Sequence, residues 1–236
     1  MAIAGELDCQ SRQINLVNYP LFVEGQEQGD YRIIEWPGDG GSDAGIIINM
    51  NSGKSGYDGV LTDVRARQAV AHALDRDLWD QRLAGGEGQP TSALVAESSR
   101  FFDGQEGPAY DVEEAKRLVE EVKADKPDWD GTLELLISDG PENVEAGVVT
   151  KAMLDAAGFN VSIVNAPVSQ VTARQFTGDY EIVIGGLAPS DADLASTFAS
   201  GMTPGGATNL TGIDDPELTA ALADFKAAAD LDAQKE

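Results

Sequence analysis

Asp191 and Asp193 are the first residues whose type and spacing could do chemistry, because two carboxylates this close can share a cation. They stand where the sequence predicts a short helix, at Asp191–Ala199. Carboxylates at the start of a helix commonly cap its free amide groups. We therefore expect capping groups at this position and no metal site.

Histidine and cysteine chemistry has little to draw on, because His72 and Cys9 are the only residues of their types. One cysteine cannot form an internal disulfide, and a zinc site needs several Cys or His ligands. His72 lies inside a predicted helix, and the Gly-x-Ser-x-Gly motif of serine hydrolases is absent. We expect no catalytic residue and no enzyme activity. A stand-alone hydrolase stays open as a rival, and it would need paired carboxylates with perturbed pKa values.

Glycine-rich stretches do not match nucleotide-binding loops. Gly53-Lys54-Ser55 lacks the glycine five positions earlier, where Ile48 stands, so its backbone amides cannot surround a phosphate. Gly86-x-Gly88 lacks the third glycine of a dinucleotide fingerprint and follows a helix. Gly86 stays a candidate ligand contact, because a glycine loop lets backbone amides approach a ligand closely. We expect no cofactor.

The charge balance excludes further classes of partner. The 236 residues include 41 Asp and Glu against 16 Lys and Arg, a formal net charge of −25. A surface this negative repels phosphate backbones, so we expect no nucleic-acid binding. The acid excess is typical of a solvated surface that maintains solubility; an acidic site for a cationic partner is the alternative.

Strands alternate with helices after residue 45, which predicts an α/β fold with a mixed sheet flanked by helices. Before that point we expect short strands at Ile14–Val17 and Tyr31–Glu35, separated by a polar loop at Glu24–Asp30. The strongest helix signal covers Asp63–Leu83 and is capped by Asp63. The other predicted strands are Ile46–Asn49, Thr132–Ile137, Asn160–Val164 and Tyr180–Ile184, and the other helices are Asp111 to about Lys123, Pro141–Ala157, Val168–Phe176 and Pro216 to about Leu231.

The helix that begins at Asp63 carries a family resemblance. Its sequence, DVRARQAVAHALDR, resembles a signature of the extracellular solute-binding proteins of family 5. Further segments are similar to that family in the same order, namely GGEGQP at 85–90, YDVEEAKRL at 110–118, AGFNV at 157–161, DYEIV at 179–183 and the segment 209–222. Val112 departs from the pattern, since the family has proline there.

The resemblance implies a fold and a function. It implies the second lobe of a type II periplasmic-binding-protein clamshell, with residues 1–45 as a hinge-proximal crossover and 46–236 as a ligand-binding lobe truncated at both ends. It implies a substrate-binding component of an ABC importer that captures peptides or a similar small polar solute between two lobes. The implied partners are permease subunits, and the implied protein is a monomer. The implied location is extracytoplasmic, periplasmic or as a cell-surface lipoprotein, with the signal absent from this sequence.

The ligand class stays open at this point. The same scaffold binding a non-peptide ligand, such as a nickel chelate, a sugar or an opine, is the alternative. One histidine weakens the case for direct nickel ligation, because imidazole is a common nickel ligand.

The first group of candidate ligand contacts follows the predicted strand Thr132–Ile137. It consists of Ser138, Asp139 and Asn143. Open α/β sheets bind ligands outside the carboxyl ends of their strands, so these side chains are placed for polar contacts.

The second group follows the predicted strand Tyr180–Ile184. By resemblance, this stretch corresponds to a G-W-x-A-D-Y-x-D-P run whose first acid receives the α-amino group of a peptide. Here the run begins Gly186-Leu187, so leucine replaces tryptophan, and Ser190 replaces the acid, with Asp191 one position later. Either a one-residue register change lets Asp191 serve, or the ligand lacks a free α-amine.

Overall fold

A four-stranded mixed sheet organises the chain in the computed structural model, which describes residues 19–34, 45–48, 58–86, 88–187 and 189–235. The central strand β2 pairs in parallel with β3 on one side and with β4 on the other. The strand β1 pairs antiparallel with β4. The strands are β1 (Gly45–Ile48), β2 (Thr132–Ser138), β3 (Asn160–Ala166) and β4 (Ile182–Gly185), in the spatial order β1-β4-β2-β3.

Helices flank this sheet, as the alternating pattern predicts. A short 3₁₀ turn at Val60–Thr62 leads into the second helix. The described helices are α1 (Tyr19–Gln28), α2 (Val64–Ala73), α3 (Arg76–Leu83), α4 (Val112–Asp125), α5 (Pro141–Ala156), α6 (Val168–Thr177), α7 (Leu194–Met202), α8 (Pro216–Ala227) and α9 (Leu231–Lys235). Within the described ranges, none of these helices has the length and apolarity needed to cross a membrane.

The two faces of the sheet pack against different helices. Leu135 of β2 belongs to a buried cluster with side chains of α2, α4 and α5. Its neighbour Leu136 belongs to a second cluster, which includes Val171 of α6. Successive strand residues point to opposite faces, so β2 is buried on both sides. We call these two clusters together the sheet core.

A third apolar cluster lies at α7 and α8. Its buried members are Leu194, Phe198 and Leu222. Partly buried side chains pack on them, namely Val95, Phe101, Leu187, Met202, Leu218 and Phe225. We call this group the C-terminal cluster.

The helix predicted from Asp111 to about Lys123 is confirmed as α4, but the capping box that the spacing of Asp111 and Glu114 predicts is only half formed. The Asp111 carboxylate accepts hydrogen bonds from the backbone N–H groups of Glu113 and Glu114, which caps the helix. The apolar face of α4 is buried, with Ala115, Leu118, Val119 and Val122 at most 5% exposed. Glu114 does not complete a reciprocal capping box, because the Asp111 N–H donates to the His72 carbonyl oxygen.

The prediction of one helix over Asp63–Leu83 is wrong, because the chain forms two helices there. Leu74 is extended, with φ −86° and ψ 103°, and it separates α2 from α3. Asp63 caps α2 as predicted, by accepting from the Arg65 N–H. Asp75 caps α3 in the same way, by accepting from the Leu78 N–H. The second aspartate therefore competes successfully with helix continuation.

The predictions for the N-terminal part are also corrected. The residues predicted as a polar loop, Glu24–Asp30, lie largely within α1, which extends to Gln28. Gly29 follows with φ 83°, a left-handed conformation that suits glycine after a helix. Residues 31–34 are irregular and form no strand. The strand predicted at Ile14–Val17, the Gly53–Ser55 stretch and Cys9 lie outside the described residues.

The last predicted helix, from Pro216 to about Leu231, is shorter than expected. α8 ends at Ala227, and a separate short helix, α9, begins only at Leu231. Asp215 caps α8 by accepting from the N–H groups of Glu217 and Leu218, and Pro216 occupies its first turn.

Candidate functional site

The parallel register of β2 and β4 brings the two predicted groups to one edge of the sheet. Leu135 pairs with Ile182 and Leu136 with Val183, so both strands end at the same edge. The loop after β2 and the loop after β4 both start there. Open α/β sheets place ligand crevices at this edge, as the sequence analysis expects.

The loop after β2 is held in place by its backbone. The Asp139 N–H donates to the Ala166 carbonyl oxygen at 2.9 Å, which ties the loop to the end of β3. Gly140 follows with φ 133°, a conformation that residues with a Cβ rarely adopt. Ser138 and Asn143 are half-buried, and Asp139 is exposed. The loop therefore presents three polar side chains from a fixed backbone.

The loop after β4 begins with an exposed glycine and an apolar anchor. Gly186 is exposed, and Leu187 is half-buried and belongs to the C-terminal cluster. A Cβ atom added at Gly201 of α7 would lie 3.0 Å from Leu187 Cδ2. Leu187 thus packs closely on α7, where it fixes the course of the loop.

Ser190 and Asp193 bind each other. The Ser190 hydroxyl and the Ser190 N–H donate to Asp193 Oδ1 at 3.0 and 3.3 Å. The Ser190 hydroxyl also accepts from the Ala192 N–H at 3.3 Å. Asp193 immediately precedes α7, but its side chain makes no capping hydrogen bond to the helix. The expected capping role of this carboxylate is therefore wrong, and the helix predicted from Asp191 begins at Leu194.

Asp191 contacts a segment far away in the sequence. Its Oδ1 accepts from the Ser99 hydroxyl at 2.5 Å, and its Oδ2 accepts from the Arg100 N–H at 3.0 Å. The Arg100 guanidinium donates to the Asp191 carbonyl oxygen at 2.8 Å and lies 3.8 Å from Oδ2. The capping role expected for Asp191 is also wrong, because both carboxylate oxygens bind the distant segment.

These contacts shift the ionisation of Asp191. Burial on its own would raise the pKa of this carboxyl. The hydrogen bonds from Ser99 and from the Arg100 N–H, together with the Arg100 charge, outweigh burial, so the pKa of Asp191 lies below its ordinary value. The carboxylate is therefore held ionised and paired.

Residues 88–110 connect the loop after β4 to the helices on the sheet. The Gly88 N–H donates to Asp80 Oδ1 at 2.9 Å. At the other end, Arg76 donates to the Pro108 carbonyl oxygen at 3.2 Å, and His72 Nδ1 lies 2.8 Å from the Ala109 carbonyl oxygen. His72 therefore contacts this connecting segment, whose middle carries Ser99 and Arg100.

Ser99 and Arg100 carry no signal in the sequence that predicts their role. They lie about 90 residues from Asp191 along the chain, and neither belongs to a recognisable motif. No spacing signal could have paired them, since only the folded chain brings the two segments together.

An open cleft of about 330 Å³ lies beside Asp191. Phe101 and Phe225 form an aromatic pair in its wall, with ring centroids 5.3 Å apart. Charged side chains of both signs line it, namely Arg100, Asp191, Asp193 and Lys226. Its volume lies at the lower end of the range of small-molecule sites.

Gly86 lies in a different place from the strand-end loops. It is part of the turn that ends α3, where its N–H lies 3.4 Å from the Asp80 carbonyl oxygen. Its other close neighbour is the Gln81 side chain. Within the described residues, no group of three or more His, Cys, Asp and Glu side chains is arranged to hold a metal ion.

The sequence matches a family of transport proteins over most of its length. The family model described as bacterial extracellular solute-binding proteins, family 5 Middle, covers residues 2–209. A Brucella ovis protein described as an ABC transporter peptide-binding protein is 26% identical over 168 residues, 68% of this chain and 32% of that protein. The chain thus spans about a third of the length of the curated relatives it matches.

Solved structures share the fold. OppA from Haemophilus influenzae, in complex with RPPGFSPFR, has a TM-score of 0.75 at 20% identity, covering 98% of this chain and 45% of that chain. NikA from Brucella suis, in complex with Fe(III)-EDTA, has a TM-score of 0.68 at 19% identity, covering 94% of this chain and 45% of that chain. The helices, the mixed sheet and the family match agree, and the chain belongs to the bacterial extracellular solute-binding proteins, family 5.

Proposed function

We propose that this chain supplies a ligand-binding lobe of the substrate-binding component of an ABC importer, capturing peptides or a similar small polar solute. One observation carries the proposal: two strand-end loops, after β2 and after β4, lie side by side at the carboxyl edge of parallel strands. The family match and the Brucella relative described as peptide-binding support the same role.

Capture in such a protein requires no reacting group. The ligand binds at the strand ends and a second lobe closes over it, which removes its surface from water. Ser138, Asp139 and Asn143 are the polar contacts that we propose on the β2 side, and the exposed backbone of Gly186 on the β4 side. Gly86 stays a more distant candidate contact.

The proposed setting follows from this role. The partners are the permease subunits of the importer, the protein acts as a monomer outside the cytoplasm, and it has no enzyme activity. Residues 1–45 form the crossover near the hinge and 46–236 the lobe. The rival hydrolase requires two carboxylates with perturbed pKa values that act as a pair, whereas Asp191 binds Ser99 and Arg100, and Asp193 binds Ser190.

A metal chelate is a second candidate ligand. The likeness to NikA bound to Fe(III)-EDTA favours it, because a chelate brings its own metal ligands and needs none from the chain. The peptide and chelate classes differ in what they present to Asp139, a cationic amine in the first case and carboxylates in the second.

Isothermal titration of the full chain with Ala-Ala-Ala and with Fe(III)-EDTA tests the proposal. We expect Asp139→Asn to weaken tripeptide binding by about tenfold or more, as for a lost hydrogen bond to a charged group. Asp128→Asn is the matched control, since Asp128 is also exposed but precedes β2 at the opposite edge. Equal affinity in the wild-type chain and both variants would contradict the site, and binding of Fe(III)-EDTA alone would select the chelate.

A further inference from the structure

We infer that Asp191 serves the fold by positioning the loop after β4, and that it does not bind a ligand's α-amino group. The inference rests on the proposed function and concerns this loop alone, since Asp139 at the same sheet edge is the proposed polar contact for an amine. It argues against one of the two alternatives left by the sequence, a shifted register that lets Asp191 bind an amine.

The Asp191 carboxylate already has partners within the fold. Each of its oxygens already accepts a hydrogen bond, one from the Ser99 hydroxyl and one from the Arg100 N–H. Its side chain is 16% exposed, whereas that of Arg100 is 57% exposed. Lone pairs remain on both oxygens, but the fold leaves little of this side chain open to an incoming ammonium group.

A positive charge already lies beside the Asp191 carboxylate. The Arg100 guanidinium lies 3.8 Å from Asp191 Oδ2 and donates to the Asp191 carbonyl oxygen. A ligand ammonium at Asp191 would sit within a few ångströms of this cation. Like charges at that distance repel, and the repulsion offsets the attraction of the carboxylate.

The hydroxyl of Ser190, in the same loop, is also hydrogen-bonded within the loop. Ser190 stands where the resembled family has its amine-binding acid, and a hydroxyl carries no negative charge. Its oxygen donates to Asp193 Oδ1 and accepts from the Ala192 N–H. Asp193 Oδ1 also accepts from the Ser190 N–H. The Ser190 hydroxyl and Asp193 Oδ1 thus bind each other within the loop after β4.

The segment that carries Ser99 and Arg100 is anchored near both of its ends. The segment 88–110 is fixed at Gly88, Pro108 and Ala109 by contacts to α2 and α3 and their flanking residues. Ser99 and Arg100 therefore reach Asp191 from an anchored segment. Arg100 also lies over the Phe101 ring, 4.8 Å from its centroid, which orders the guanidinium further. The network positions the loop after β4.

A double-mutant cycle tests the structural half without any ligand. The variants Ser99→Ala, Asp191→Asn and the double variant are compared in thermal melts and in hydrogen exchange of the α7 amides. We expect Asp191→Asn to lower the melting temperature by about 4 °C or more. We expect the double variant to be little worse than the single variants, since both remove one network. Asp139→Asn is the exposed control and should melt like the wild-type chain.

Two outcomes would overturn the structural half. In one, Asp191→Asn melts and exchanges like the Asp139→Asn control. In the other, the effects of Ser99→Ala and Asp191→Asn simply add. Either result would leave the carboxylate available to a ligand.

A titration with Ala-Ala-Ala and N-acetyl-Ala-Ala-Ala tests whether Asp191 meets the amine of a ligand. We expect the ratio of the two dissociation constants to be the same within about threefold in the wild-type chain and in Asp191→Asn, because this carboxylate does not contact the amine. A free tripeptide that binds at least tenfold more tightly, with the advantage lost in Asp191→Asn, would overturn the inference. If neither tripeptide binds, the mutant cycle decides the role of Asp191.

Discussion

The sheet core and the C-terminal cluster differ in how completely they exclude water. Leu133, Leu135 and Leu136 of β2 are 0% exposed, with a hydrogen-bonded strand on each side. In the C-terminal cluster, the buried residues Leu194 and Phe198 are 5% and 8% exposed. The partly buried residues around them leave more apolar surface in water, so burial stabilises this region less.

The two regions also differ in what connects their parts. Neighbouring strands join the sheet, whereas the C-terminal cluster depends on contacts between distant segments. Tyr180 of the sheet core donates to the carbonyl oxygen of Leu210, in the connection between α7 and α8, at 2.7 Å. Burial raises the pKa of this tyrosine, which keeps it protonated as a donor. Asp191 binds Ser99 and Arg100. A region held by a few such contacts is expected to open before the sheet does.

The largest expected effect is in the sheet core. Leu135→Ala removes a side chain that is 0% exposed between α-helices and the sheet. We expect the free energy of unfolding to fall by about 3–5 kcal/mol, from lost burial and from the cavity left behind. Urea denaturation followed by circular dichroism measures it. Val148→Ala on the exposed face of α5 is the control, and an equal loss in both variants would contradict the packing of β2.

A smaller effect is expected in the C-terminal cluster. Phe198→Ala should cost about 2–3 kcal/mol, below the usual cost of a core phenylalanine, because this residue keeps contact with water. Hydrogen exchange should show the loss in α7 and α8 and leave the β2 amides protected. Equal acceleration in β2 would show that the two regions unfold as one unit.

The elements of the sheet were predictable because their signals are local. The Asp111 cap and the apolar spacing of Ala115, Leu118 and Val122 define α4 within a dozen residues. Strands and helices alternate from Thr132 to Gly185 with glycines and prolines between them, so β2, α5, β3, α6 and β4 all appear where expected. Local hydrogen bonding and burial agree there, which leaves little to tertiary context.

The features that the sequence did not predict depend on competition between local signals or on contacts between distant segments. At Asp75, helical spacing continues on both sides, and only the structure shows that the carboxylate caps a new helix. The candidate loops were located by strand ends and resemblance, but the bonding of Asp191 to Ser99 was not, because a contact across 92 residues leaves no periodic trace. Val95 and Phe101 also reach the C-terminal cluster from a distant part of the chain, and the sequence did not predict those contacts either.

The pH dependence of amide protection in α7 tests how much ionised Asp191 stabilises this region. The pKa of this carboxyl is lower in the folded chain than its ordinary value of 3.8. Its contribution to stability is therefore complete above that value and is lost as the pH falls through the folded pKa. We expect the α7 amides, corrected for intrinsic exchange, to lose protection below about pH 4 in the wild-type chain. Asp191→Asn should not show this loss of protection. Identical acid profiles of the two proteins would contradict a stabilising role for the ion pair of Asp191 and Arg100.

Salt is expected to have the smallest effect. It should narrow the difference in amide protection between the C-terminal cluster and the sheet core. Residues 186–236 contain nine Asp and Glu but two Lys and Arg. The sheet helices carry attractive pairs such as Lys151–Asp155 and Arg117–Glu114, whereas Arg100–Asp191 is the one ion pair found for the described part of 186–236. Raising KCl shortens the screening length from about 10 Å at 0.1 M to about 3 Å at 1 M.

That screening weakens repulsion in both regions but attraction mainly in the helices on the sheet. The protection of the α7 and α8 amides should therefore rise by more than that of the β2 amides, by up to about 1 kcal/mol, the scale of surface ion pairs. The melting temperature of the whole chain should also rise with KCl, because the net charge of −25 opposes the compact state. A melting temperature that falls with KCl, or a gap in protection that widens, would mean that the exposed ion pairs outweigh the self-repulsion of the acidic C-terminal region.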